Sequence, residues 1–132
     1  MPTERLPLTA RQTVILSALG ASLFLLAALM LRALADHGIY VGWGRVLLYA
    51  LVIPGTAPFI FLLKQAAGLA KSQVAVGTAV ATAAAILLDG IALAWFPGLY
   101  GTNVEHIAGA GAAILWGGGV GLVLGFLMNR AA

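Results

Sequence analysis

The sequence contains no cysteine. Disulfides, thiolate nucleophiles and Cys-ligated metals are therefore excluded. Charge is also scarce: 8% of residues are Asp, Glu, Lys or Arg, against about 25% in an ordinary soluble domain. In water, a chain that is 62% hydrophobic with a mean hydropathy of +1.05 would expose large apolar patches; a bilayer removes that problem. The seven Lys and Arg behind the formal net charge of +3 are scattered. They form no basic face of the kind that binds nucleic acid. No nucleotide-binding loop, HExxH or motif-placed Ser–His–Asp arrangement is present. Trp116-Gly-Gly-Gly119 lacks the Lys and Ser/Thr of a phosphate loop, and Pro97-Gly-Leu-Tyr-Gly101 lacks the repeated carbonyl motif of a potassium filter.

What the sequence does have is long apolar runs. Four are legible, from Thr13 to Leu34, Val46 to Leu63, Val74 to Phe96 and Ile107 to Met128. Each is long enough, as a helix, for a hydrocarbon core of about 30 Å. They lack the alternation of a membrane β-barrel strand. The predicted fold is an all-α, single-domain bundle of four antiparallel transmembrane helices. The connections, residues 35–45, 64–73 and 97–106, are short, which predicts that consecutive helices are neighbours. Thr9-Ala-Arg-Gln12 and Thr102-Asn-Val-Glu105 match capping boxes before the first and fourth helices.

Positive charge orients the bundle. Arg5, Arg11, Lys64, Lys71 and Arg130 collect on one side, while Arg32 and Arg45 share the other with Asp36 and Glu105. The positive-inside rule places the first group, and both termini, in the cytoplasm. Richness in Ala, Gly and Leu with brief loops points to a bacterial inner membrane. Arg5, Arg11 and Ala33-Leu-Ala35 resemble parts of a cleavable signal peptide, but the apolar run between them exceeds the usual 7–15 residues.

The fourth span carries Gly109, Ala113, Gly117, Gly121 and Gly125, a small residue at every fourth position. Such a seam admits another helix closely, within the bundle or in a homo-oligomer or larger membrane partner. The third span begins rich in alanine and offers a smooth facing surface. In the second span, Pro54 and Pro58 each remove a backbone donor, predicting a kink or local unwinding near mid-membrane. Discontinuous helices of this kind build sites in transporters.

Asp89 lies inside the third span, about 9 Å along the axis from Trp95 at about 1.5 Å per residue. A carboxylate there is costly and needs a partner. Arg32 and Arg45, at the same end, are the predicted ion-pair partners, with long apolar stems that let the head reach inward. The same end gathers Asp36, His37, Tyr100, Glu105 and His106. Glu105 is expected to bond its own helix terminus. His37 and His106, with the acidic groups, offer ligands suited to zinc or another transition metal, but their spacing matches no tight metal motif. Solvated loop histidines are the favoured reading, and no cofactor is identified.

These features favour a non-catalytic accessory or interaction subunit in the lipid bilayer. One alternative is a small oligomeric transporter or channel using Asp89 and the second helix. The other is a lipid- or cofactor-binding intramembrane enzyme. No residue motif separates the three.

Overall fold

A computed structural model describes residues 7–131; Arg5 lies outside them. The described residues form four long helices and no strand: α1 (Ala10–Leu34), α2 (Gly42–Ala67), α3 (Val74–Trp95) and α4 (Val104–Met128). All four are long and apolar enough to cross a membrane. Short 3₁₀ turns at Ala35–His37, Lys71–Gln73 and Pro97–Leu99 connect them.

Local chemistry sets the helix ends. At the start of α1 the capping box forms: Gln12 N donates to Thr9 Oγ1 at 3.1 Å, and Thr9 N donates to Gln12 Oε1 at 3.0 Å. Each bond satisfies a donor that the first helical turn leaves unpaired. After α2, Gly68 takes φ 62°, a left-handed conformation that glycine adopts without a Cβ clash. The cap of α4 is one residue later than the Thr102–Glu105 pattern predicts. Asn103 is the N-cap, and its Oδ1 accepts from His106 N at 2.8 Å. Asn is as good a cap as Thr, and from Asn103 the reciprocal position falls on His106, so Glu105 has no capping role. α2 is longer than the apolar run at both ends, and α4 begins three residues before Ile107.

The helix through Pro54 and Pro58 is continuous, so of the kink or local unwinding expected there, the unwinding does not occur. Each proline costs one helical bond, yet the flanking turns hold. Thr56 Oγ1 donates to Val52 O at 2.6 Å, giving that carbonyl a side-chain donor within the same turn.

Packing departs from the predicted sequence-neighbour pattern. α1 packs chiefly on α3, α3 on α4, and α4 on α2, while α1–α2 and α2–α3 contacts are sparse. The reason lies in side-chain size. A Cβ on Gly20 of α1 would overlap the carbonyl of Ala81 on α3, and Ala28 faces the same buried cluster as Ala92. Small residues on both helices let the backbones approach, which in lipid substitutes for hydrophobic drive. Short loops require only that consecutive ends lie near one another.

Hydrogen bonds show which ends meet. At one end, Gln12 Nε2 donates to Gly68 O and to Gln73 Oε1, both at 3.2 Å, and Gln73 Nε2 donates to Pro7 O at 2.7 Å. Ala75 N donates to Asn129 Oδ1 at 3.0 Å and Arg130 N to Lys71 O at 2.8 Å. The start of α1 and the end of α4 are thus both fastened to the α2–α3 connection. At the opposite end, an Arg32 guanidinium nitrogen donates to Gly98 O, joining the end of α1 to the turn after α3.

Candidate functional site

Of the polar groups singled out in the sequence, Asp89 and Tyr100 form a closed pair in the interior at the Arg32–Gly98 end, and Asp36, Arg45, Glu105 and His106 line an open cleft at the surface.

The closed pair is Asp89 and Tyr100. Asp89, on α3, is 7% exposed, and Tyr100, just beyond the Pro97–Leu99 turn, is 0% exposed. Tyr100 Oη donates to Asp89 Oδ1 at 2.5 Å. The predicted Asp89 ion pair with Arg32 or Arg45 does not form: among the described residues no basic group lies within 4.0 Å of Asp89. The turn after α3 brings Tyr100 back to its own helix, and its hydroxyl supplies the partner that the buried carboxylate needs. Its ring sits in a buried cluster with Ala28, Leu31, Ala92, Ala110 and Ala113. Burial, then the bond to Asp89 and its charge, push the Tyr100 phenol above its ordinary range, so it remains a donor. Arg32 is spent on Gly98 instead.

The cleft lies between the α1–α2 connection, the first turn of α2 and the start of α4. It has a volume of about 700 Å³ and is lined by Asp36, Tyr40, Arg45, Glu105 and His106 with Val41, Ala108, Gly109 and Ala112 among its apolar wall. His106 Nδ1 is 3.9 Å from Asp36 Oδ1, and its ring is 6.2 Å from that of Tyr40. Arg45 and Glu105 line the same cleft yet form no ion pair. Neither Asp89 nor Tyr100 borders it. His37 sits in the Ala35–His37 turn and is not part of the lining, so the two histidines are not brought together there. Among the described residues no group of three or more His, Cys, Asp or Glu is placed to hold a metal ion.

Tyr40, in the α1–α2 connection, is an aromatic at the end of the bundle where Trp43 and Trp95 also lie. In the structure its ring packs on α4 at Gly109, where a Cβ would fall 2.5 Å from Tyr40 Cγ. Its hydroxyl is buried without a hydrogen-bond partner among the described residues. Burial, then the neighbouring Tyr49, push its pKa up to about 12. In the sequence Gly109 stood only as the first member of the α4 seam, with nothing to pair it with Tyr40. Thr78 was not singled out; it is 2% exposed, its hydroxyl has no hydrogen-bond partner among the described residues, and it faces Gly125.

The α4 seam is occupied from within the chain. Gly109 meets Tyr40; Gly117 faces Val52; Gly121 faces Thr56 and Thr82; Gly125 meets Thr78. Ala113 is buried in the cluster around Tyr100. Beside the seam, Trp116 Nε1 donates to Tyr49 O at 3.0 Å and the two rings stack at 5.3 Å, joining α4 to α2. No family model, curated protein or solved structure matches the chain.

Proposed function

We propose that this chain is a small, non-catalytic accessory or interaction subunit of a membrane complex. The observation that carries this reading is how the intramembrane polar and small residues are used. Asp89 is closed by Tyr100, Gln12 by Gln73 and Gly68, and the glycine seam by Tyr40, Val52 and the threonines. These groups hold the bundle together. What the molecule offers outward is a belt of large apolar side chains, including Leu115, Val123 and Phe126 on α4. Such a belt suits lipid, a second copy or the helices of a larger partner.

The distribution of basic residues supports a bacterial inner-membrane orientation with both termini cytoplasmic. Arg11, Lys64, Lys71 and Arg130 belong to the end built around Gln12, Gln73 and Asn129, and basic residues concentrate on the cytoplasmic side.

The experiment is mass spectrometry of the complex after gentle extraction from its native membrane at native expression. A stoichiometric larger partner is expected. A monomer or homo-oligomer retained across several mild detergents would overturn the accessory reading. One observation favours a second reading, a small transporter or channel: a carboxylate buried within a span. That reading requires proton flux into proteoliposomes, followed with an entrapped pH dye, and its loss in Asp89→Asn. Undiminished flux in the variant would dismiss it.

A further inference from the structure

Arg45 and Glu105 bring opposite charges to one cleft. Both are exposed, where pairing with each other would gain little, so both remain open to a charged ligand. Here they stay more than 4.0 Å apart, and neither has another ionic partner among the described residues. Arg45 comes from the first turns of α2 and Glu105 from the first turn of α4, so two separate helices bring the charges to the cleft. The space between them fits a ligand that carries both signs itself.

Depth and wall chemistry narrow the ligand. Trp43, two residues before Arg45, is 85% exposed, and Trp95, at the end of α3 on the same side, is 72% exposed. Exposed tryptophans at helix ends sit at the headgroup level of a bilayer. The cleft therefore opens where lipid headgroups lie. From the charged rim, Ala108 and Ala112 run along α4 toward the hydrocarbon, a surface for the first carbons of a lipid. A cleft of about 700 Å³ falls within the range of small-molecule sites, about 300–1,000 Å³.

We infer that this cleft binds the headgroup of a zwitterionic phospholipid bearing a primary ammonium. Arg45 takes the phosphodiester and Glu105 the ammonium, while the apolar wall takes the start of the acyl region; Asp36, the cleft's other carboxylate, lies instead 3.9 Å from His106 Nδ1. Guanidinium suits phosphate because its fork of donors matches two oxygens at once. A carboxylate distinguishes a primary ammonium, which donates hydrogen bonds, from a quaternary one, which cannot. The inference rests on the four helices lying in a bilayer and is independent of the accessory-subunit reading.

The test is lipid retention by native mass spectrometry of the intact protein, released from nanodiscs containing equal phosphatidylethanolamine and phosphatidylcholine. One phosphatidylethanolamine retained in preference to phosphatidylcholine is expected. Arg45→Ala should weaken retention about tenfold, the loss of one charge-assisted contact. Glu105→Gln should abolish the preference between the two lipids while leaving phosphatidylcholine retention unchanged. Arg11→Ala, at the other end, should alter neither. Arg45 and Glu105 are exposed, and far-ultraviolet dichroism verifies that each variant keeps its helices; Arg45→Lys, which keeps the charge, should recover part of the retention. Equal retention of the two lipids by the unaltered protein, or full phosphatidylethanolamine preference in Glu105→Gln, overturns the inference. Soluble glycerophosphoethanolamine tests the other source of the same chemistry: weak competition supports a lipid occupant, and competition as strong as the lipid's own binding overturns it in favour of a water-soluble phosphodiester.

Discussion

Two buried tyrosine hydroxyls in one small protein meet opposite fates. That of Tyr100 is used, on Asp89, and that of Tyr40 is not. Removing a partner from a buried polar group costs about 1–3 kcal/mol, whereas removing an unpaired hydroxyl costs nothing and relieves its desolvation. Tyr100→Phe is therefore expected to destabilise the purified protein by about 1–3 kcal/mol, and Tyr40→Phe to be neutral or stabilising. Unfolding in mixed micelles of mild and denaturing detergent measures both; equal losses would contradict the assignment. The same phenols set an alkaline limit. Both are raised above the ordinary value of 10.0, Tyr40 to about 12. Below the ordinary value both states hold the proton and the stabilisation is fully present. Above it the unfolded chain ionises first, so stability falls as pH rises through the folded values. Unfolding midpoints should drop above about pH 10, and less steeply in Tyr100→Phe. The Asp89–Tyr100 pair illustrates what residue-level reading reaches. That a lone carboxylate in an apolar span needs a partner follows from solvation. Which partner depends on the turn at Pro97–Leu99 folding back, a path that charge and depth do not encode.

At the scale of the helix, small residues repeated every fourth position look like a straight seam, yet they wind. At about 100° per residue each step advances about 40° around the axis, so five such positions face more than one neighbour. The structure follows that drift: Gly109 meets the α1–α2 connection, Gly117 faces α2, and Gly125 meets α3. Consequences differ along the same helix. A Cβ at Gly125 would fall 2.7 Å from Thr78 Cβ, while one at Gly119 meets nothing within 4 Å. Gly125→Ala should cost about 1–3 kcal/mol by overpacking. Gly119→Ala should be neutral or gain up to about 1 kcal/mol from helix propensity. Comparing the two in the same detergent unfolding assay checks this, and a Gly125→Ala protein as stable as the original would contradict the close contact. The existence of the helices was readable from the length of the apolar runs and, for α1, from its cap. The cap of α4 was displaced by one residue because Thr102 and Asn103 are both competent and only backbone geometry chooses.

For the whole molecule, the absence of cysteine supplies a clean background for mapping orientation. Ser72→Cys, in the α2–α3 connection, and Gly98→Cys, in the turn after α3, lie at opposite ends of the bundle. With both termini cytoplasmic, a membrane-impermeant maleimide added to intact cells should label Gly98→Cys and not Ser72→Cys; the reverse pattern would invert the orientation. Four helices long and apolar enough to cross a membrane were legible because hydrocarbon thickness sets a length that sequence displays directly. Their neighbours were not, because short loops constrain the ends of consecutive helices, while Gly20, Ala28, Ala81 and Ala92 decide which faces close. The resulting pairing of α1 with α3 and α2 with α4 has a consequence in time. A ribosome releases the helices in chain order. α1 therefore finds its main partner once α3 emerges, but α2, inserted earlier than α3, must wait for the last helix. During that interval the backbone at Tyr49 has no Trp116 to receive, and the side of α2 around Val52 and Thr56 has no glycine face to rest on. The second helix to enter the bilayer is thus among the last to be settled, and an interrupted translation would leave it, rather than the newest segment, as the part exposed to quality control.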